Sequence, residues 1–268
     1  MAKIKIAVAG CLGRMGQELT KEIINNNNLE FVGGFEHNKH KYINRELRKV
    51  SNINSTKLVD SNPNYSIKAA KVLIDFTTPQ STLENVKIAS QNNTAVVIGT
   101  TGITDSQKKK IKSYSKKIPI LMSSNMSLGV NLLFNLVLQT AFALKDSDYD
   151  IEIAETHHKH KKDAPSGTAL SLGECAAEGR KTSLNKSKVF DRTKKLTNRK
   201  KGEIGFSVTR GGEIAGEHTV SFIGENDRVD LVHKANNRSI FVKGALDAAI
   251  YLSKKKPGLY SINDLLIS

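Results

Sequence analysis

The sequence predicts an α/β fold that gives way to a second, mixed α+β part. Three observations predict it. Short β-type apolar runs alternate with helical patterns as far as Met122. The first run ends at a glycine-spaced loop that opens a helix. After about residue 127 the alternation stops, and one long apolar helix leads into a strand-rich stretch. Strands separated by helix-length segments build βαβ units and a mostly parallel sheet.

Taken in order, Lys3–Ala9 is a strand and Arg14–Ile24 a helix. Leu29–Phe35 is the second strand, closing at Glu36. Lys71–Phe76, Thr94–Ile98 and Ile118–Met122 are further strands, with helices over Ser81–Ser90 and Asp105–Ser115 between them. Val130–Leu144 is an apolar helix, and Asp148–Glu155 alternates like a half-buried strand. Thr168–Glu178 is a helix opened by Ser166. Lys181–Lys201 holds nine basic residues and one acid with few apolar anchors, which reads as a mobile surface loop. Gly205–Lys234 reads as an antiparallel sheet, and Phe241–Leu252 is helical again.

With 268 residues the chain can bury one large core or two modest ones. No run approaches the roughly 20 apolar residues needed to span a bilayer, and the N-terminus lacks the pattern of a signal peptide. Cys11 and Cys175 form no metal-type spacing. A cytoplasmic, reduced protein is expected, with no membrane partner. The net charge of +15 attracts anions. A nucleic-acid partner would call for aromatic or arginine-rich faces, yet aromatics are 6% of the chain and no such motif occurs, so none is expected.

The loop Gly10-Cys11-Leu12-Gly13-Arg14-Met15-Gly16 lies between the first strand and first helix, where a dinucleotide's pyrophosphate would bind. Glu36 ends the second strand, 20 residues after Gly16, where a carboxylate can contact the adenosine ribose. A tight turn that binds nothing is the other reading. Gly99-Thr100-Thr101-Gly102 and Ser123-Ser124-Asn125-Met126 follow strands of the same sheet and suit a nicotinamide-ribose pocket, although each alone is equally an ordinary turn.

The stretch AETHHKHKKDAPSGTA carries His157, His158 and His160 among Lys159, Lys161 and Lys162. Zinc ligation is geometrically possible. The interleaved ammonium groups would crowd a dication, so no metal is expected. Imidazoles beside ammonium groups suit a carboxylate-bearing substrate, and one imidazole could donate a proton. The turn before Thr168 opens a helix whose free N–H groups form a second anion seat. A solvated basic loop is the alternative.

VAGCLGRMG, IDFTTP, VIGTTG, SNMSLGVN, IEIAETHHKHKKDAPSGTA, IGFSVTRGGEIAGEHTVSF and HKANNR together run from residue 8 to residue 238. In that order they resemble the 4-hydroxy-tetrahydrodipicolinate reductase (dihydrodipicolinate reductase) family. The resemblance implies a Rossmann-type dinucleotide-binding domain over 1–127 plus 237–268. It implies a substrate-binding and tetramerisation domain over 128–236, and a homotetramer. The implied reaction is reduction of a cyclic dicarboxylate by NADH or NADPH, with hydride to ring carbon 4, loss of water and a proton to carbon 3. Position by position, His157 matches the general acid and Lys161 the second catalytic residue. His158, His160, Gly167, Thr168 and Arg238 match substrate contacts. Gly10, Cys11, Leu12, Gly13, Arg14, Met15, Glu36, Gly99, Thr100, Thr101, Ser123, Ser124, Asn125 and Met126 match cofactor contacts.

Two positions depart from the family pattern. His37 stands where the family often has arginine, and arginine would grip a 2′-phosphate bidentately. NADH is therefore expected to serve at least as well as NADPH. Met126 stands where an aromatic residue is common and can still cover a nicotinamide face. Another amino-acid-linked oxidoreductase of the same fold, such as an aspartate dehydrogenase, is the competing enzyme class. It should lack the HHxHKxDAPSGT run.

Overall fold

The structure is a computed structural model that describes residues 2–193 and 197–267. The chain divides into two compact units, Met1–Ser127 with Ser239–Ser268, and Leu128–Arg238.

The first unit runs β1 (Ile4–Ala9), α1 (Arg14–Asn25), β2 (Leu29–Phe35), α2 (Leu47–Val50), β3 (Val59–Asp60), α3 (Pro63–Ala69), β4 (Val72–Asp75), α4 (Pro79–Gln91), β5 (Ala95–Ile98), α5 (Asp105–Tyr114) and β6 (Pro119–Met122). The second unit holds α6 (Leu128–Ala143), β7 (Asp150–His157), α7 (Gly167–Gly179), α8 (Leu184–Ser187), β8 (Lys188–Val189), β9 (Ile204–Arg210), β10 (Glu217–Ile223) and β11 (Arg228–Lys234). The chain then returns to the first unit as α9 (Ser239–Leu252), β12 (Gly258–Tyr260) and α10 (Ile262–Leu266).

The first unit is a seven-stranded parallel sheet in the order β12-β6-β5-β4-β1-β2-β3. Strands β4 and β5 are buried on both faces, so they read as unbroken apolar runs rather than alternations. Helix starts are locally encoded. Thr78 caps α4 ahead of Pro79, and Thr104 with Gln107 forms a capping box on α5. The direction of winding reverses between β1 and β4. In a Rossmann-type sheet that reversal opens a crevice beyond the carboxyl ends of the strands, which is where ligands sit. Gly244 lets α9 lie close against the backbone of Met126, where a Cβ would collide with the Met126 carbonyl.

The second unit is a five-stranded sheet, β11-β10-β7-β9-β8, with α6 and α7 packed on one face. Leu133, Val137, Leu172 and Ala176 from the helices meet Ile151, Ile153, Val220 and Phe222 from the strands. The expected antiparallel sheet over Gly205–Lys234 is corrected here. β10 pairs antiparallel with β7 and β11, but β9 pairs parallel with β7. The reason is α7, which supplies the long crossover that a parallel neighbour requires.

The basic stretch 181–201 also differs from the mobile loop expected of it, although residues 194–196 lie outside the described residues. α8 and β8 form within it, and β8 pairs with β9. Phe190 packs edge-on against Phe206 at 5.1 Å. Arg192 pairs with Glu152 and Glu203 at 2.8 and 2.7 Å, and Arg199 pairs with Asp150 and Glu152. Asp150 and Glu152, which hold these arginines, sit on β7, some 40 to 50 residues away, while Glu203 lies just before β9.

Candidate active site

In the first unit the predicted loops lie at the carboxyl ends of β1, β2, β5 and β6. Gly10 adopts φ +67°, a left-handed conformation that glycine takes without strain. A Cβ on Gly16 would collide with the Gly10 carbonyl, so the glycine spacing brings α1 close to the loop. Gly13 caps α1 with no side-chain hydrogen bond, which leaves the helix start open to an external anion. Glu36 accepts the Leu12 N–H at 2.8 Å and so ties the end of β2 to the loop.

A cavity of about 710 Å³ lies here, lined among others by Gly10, Gly13, Glu36, His37, Phe76 and Thr77. That size and this backbone cradle fit a dinucleotide. Cys11 is fully buried against Gly34, so only its backbone faces the loop. Met126 is also buried. His37 lines the cavity, and its Nδ1 accepts the Lys39 N–H at 3.3 Å.

The loop after β4, within the matching segment IDFTTP, had no expected site residue. Asp75, fully buried at the end of β4, anchors it. Its carboxylate accepts the Thr77 N–H at 3.0 Å, the Thr77 hydroxyl at 2.6 Å and Asn85 Nδ2 at 2.9 Å. The Thr100 hydroxyl, on the loop after β5, lies 3.3 Å from the same carboxylate and accepts the Thr77 N–H at 3.1 Å. Burial pushes the Asp75 carboxyl up, and these hydrogen bonds oppose it. The loop after β4 and the loop after β5, the latter expected to meet a cofactor, are thus joined through one carboxylate.

In the second unit β7 runs two residues further than the alternation suggested, and His157 is its last residue. Side chains alternate along a strand, so Glu155 and His157 share the face that carries Ile151 and Ile153. The Glu155 carboxylate and His157 Nδ1 form a hydrogen bond. Arg210, at the end of β9, donates to both Glu155 oxygens at 2.9 and 2.8 Å. The Ser166 N–H, at the start of α7, donates to Glu155 at 2.9 Å. Burial alone would raise the Glu155 carboxyl, but Arg210, His157 and Ser166 hold it below the usual carboxylate range. For His157, burial lowers the imidazole and outweighs the Glu155 hydrogen bond that raises it.

His218 on β10 lies edge-on to His157 with ring centroids 5.1 Å apart, and its Nε2 is 3.2 Å from the Ser166 hydroxyl. Burial first, then the neighbouring His157, push His218 down to about 4. Glu155, His157 and His218 bring three ligand-type atoms within 4.8 Å. The Glu155 oxygens already have a guanidinium as their cation, which leaves this carboxylate poorly placed to take a metal.

The remaining predicted residues follow in the loop. Lys161 pairs with Asp163 at 2.9 Å. His158 Nε2 lies 3.1 Å from Arg238 Nη2, so two expected substrate contacts are neighbours. His160 is exposed, 3.7 Å from Glu213. Gly167 and Thr168 form the first turn of α7, Ser166 caps it, and the space where a Gly167 Cβ would stand is open. Arg210 and His218 were not legible as site residues, because only strand register brings them to His157.

Family profiles described as "Dihydrodipicolinate reductase, N-terminus" and "Dihydrodipicolinate reductase, C-terminus" match residues 4–126 and 129–266. The chain is 42% identical over 267 residues to the 4-hydroxy-tetrahydrodipicolinate reductase of Rhodopseudomonas palustris strain TIE-1, covering 99% of this chain and 98% of that one. It is 40% identical over 263 residues to the reductase of the same name from Ralstonia pickettii strain 12J, covering 98% and 99%. Among solved structures, a dipicolinate-bound dihydrodipicolinate reductase from Paenisporosarcina sp. TG-14 superposes with a TM-score of 0.78 at 28% identity, covering 97% of each chain. An amine dehydrogenase from Mycobacterium smegmatis, 8% identical with a TM-score of 0.66 and covering 98% and 96%, shares the fold.

A buried neutral histidine destabilises at low pH, because the unfolded chain binds its proton first. His218 titrates at about 4 when folded and near 6.5 when unfolded, so its contribution is complete above 6.5 and is lost as pH falls toward 4. Thermal denaturation across that window should show a loss on the order of 2–3 kcal/mol in the second unit from this residue. His218→Gln should flatten the slope; an unchanged slope would mean that His218 is not buried neutral.

Proposed function

The chain belongs to the dihydrodipicolinate reductase family, and on that premise we propose that it reduces 4-hydroxy-tetrahydrodipicolinate to tetrahydrodipicolinate in diaminopimelate and lysine biosynthesis. The observation that supports this most is the histidine loop, present in full and seated on a buried carboxylate. Water is lost across ring carbons 3 and 4, the hydroxyl from carbon 4 and a proton from carbon 3, and reduced nicotinamide, when bound, would supply the hydride for carbon 4 of the resulting double bond. The first unit holds that cofactor: the backbone from Gly10 to Met15 takes its phosphates, Glu36 takes a ribose hydroxyl, and the loops at Gly99–Thr101 and Ser123–Met126 take its nicotinamide half.

His157 acts as the general acid and gives a proton to ring carbon 3. A positioned acid of this kind contributes roughly 10²–10⁴ in rate. Lys161 binds and polarises the dicarboxylate, for which Asp163 is its stand-in anion partner in the free protein. His158, Arg238 and the Gly167–Thr168 turn hold the substrate carboxylates, and His160 adds to the basic wall. The open space at Gly167 supports that role.

A cytoplasmic homotetramer completes the proposal. No helix among the described residues is long and apolar enough to cross a membrane. Ile223 and Val232, exposed on the sheet face away from the helices, are apolar positions that subunit contacts would cover.

The test is NADH or NADPH oxidation with substrate generated in situ by the preceding synthase. The wild-type chain should turn over, and His157→Gln should lower kcat roughly 10²–10⁴-fold with little change in KM. A variant with unchanged kcat would remove His157 as the acid. With Glu36 at the ribose and His37 in place of arginine, kcat/KM for NADH should equal or exceed that for NADPH. A preference for NADPH above about tenfold, some 1.4 kcal/mol, would contradict the assignment of Glu36.

A further inference from the structure

The reading of His157 as proton donor leaves open which of its nitrogens delivers the proton and what sets that choice. A side chain that adopts either imidazole tautomer would spend part of its time presenting the wrong atom. The structure answers through Glu155, Ser166 and Arg210, which lie in the matching segments with no expected site role.

We propose that Glu155, clamped by Arg210 and the Ser166 amide, is a positioning residue that commits Nδ1 of His157 to a permanent N–H bond, so that Nε2 is the proton-delivering atom. The inference rests on the role of His157 proposed above and deepens it. Glu155 is buried and ionised beside the Arg210 guanidinium, and an ionised carboxylate can only accept, so its hydrogen bond with Nδ1 makes Nδ1 the donor. Arg210 occupies both carboxylate oxygens and the Ser166 N–H one of them, which prevents Glu155 from rotating away. Three separate segments, β7, β9 and the start of α7, therefore hold one imidazole.

The other side of the ring is kept clear. Residue 216 is glycine at φ +152°, and a Cβ there would stand 2.9 Å from His157 Nε2, against the atom that must reach substrate. In the step itself the Nε2–H bond breaks and a C–H bond forms at ring carbon 3 from the π pair of the enamine that hydride addition at carbon 4 leaves, while the ring C=N bond re-forms. The imidazole is left neutral with its proton on Nδ1, and Nε2 regains a proton from water. Glu155 stays ionised throughout, as the third member of a Ser–His–Asp arrangement does.

The charged and titratable groups facing His157 are Glu155 on its own strand, Arg210 on β9, His218 on β10 and Lys161 in the loop. Glu155 raises the imidazole, whereas Arg210 and Lys161 lower it. The two partners of the clamp therefore act on His157 with opposite sign. Because the protonated form is the active one, kcat falls as pH rises through the titration of His157.

The test is the pH dependence of kcat for wild type, Glu155→Gln, Glu155→Asp, Arg210→Gln and His157→Gln. Glu155→Gln should move the fall in kcat to lower pH by roughly one unit, which is about tenfold in kcat near neutrality, with KM for NADH unchanged. Glu155→Asp should restore part of the shift. Arg210→Gln should move the fall to higher pH. A role in folding alone would depress both variants without opposed shifts. If His157→Gln is inactive while Glu155→Gln keeps the wild-type profile, the positioning role is overturned and the acid stands. If His157→Gln retains full activity, the acid assignment itself has failed. Should Glu155→Gln not fold, Arg210→Gln decides alone: an unshifted or lowered profile overturns the proposal.

Discussion

One buried anion organises the second unit. Glu155 lies on the central strand of its sheet, almost without solvent, and burying an isolated carboxylate there would cost several kcal/mol. The cost is offset by three partners from three places: the Arg210 guanidinium, the Ser166 N–H and His157 Nδ1. Each partner is constrained in return. Arg210 fixes the end of β9, Ser166 fixes the start of α7, and His157 is held at the mouth of the basic loop. Taking away the carboxylate would leave the Ser166 N–H without its acceptor and the Arg210 guanidinium with only the Thr209 and Asp163 carbonyls, which is why such clusters are strongly specified once formed.

The first unit uses the same device with different chemistry. Asp75 is equally buried, but its partners are hydroxyls and amides rather than a cation. Hydroxyls offset less of the desolvation than a guanidinium does, so Asp75 is pushed up while Glu155 is held down. The difference suits the two tasks. Under the proposed roles, Asp75 needs only to hold loops still around a cofactor, whereas Glu155 must remain charged beside an imidazole that gives up a proton.

Most of the first unit was legible in the sequence because parallel strands buried on both faces read as plain apolar runs, and because glycine spacing and helix caps are local signals. Gly10, Gly16 and Glu36 stand where their spacing placed them. Short elements such as β3, β12 and α2 escaped, since two to four residues carry no periodicity. In the second unit α6 and α7 were legible, whereas the four-residue α8 and the parallel pairing of β9 with β7 were not, since pairing direction depends on where a crossover helix docks.

The histidine loop was visible as a composition, but its support was not. Glu155 and His157 could have been joined by the alternation that runs Ile151, Ile153, Glu155, His157 along one face. Arg210 and His218, some fifty to sixty residues away, could not, because only register brings them in. The basic stretch after α7 looked solvated for the same reason: the acids that hold Arg192 and Arg199 lie on another strand.

In the proposed arrangement Glu155 fixes the protonation geometry of His157. Nitrogen NMR of the ligand-free protein labelled at histidine reads this directly, because protonated and bare ring nitrogens resonate far apart. The account predicts that His157 Nδ1 stays protonated across the whole titration and that Nε2 alone loses its proton as pH rises. A neutral His157 with its proton on Nε2 would contradict it.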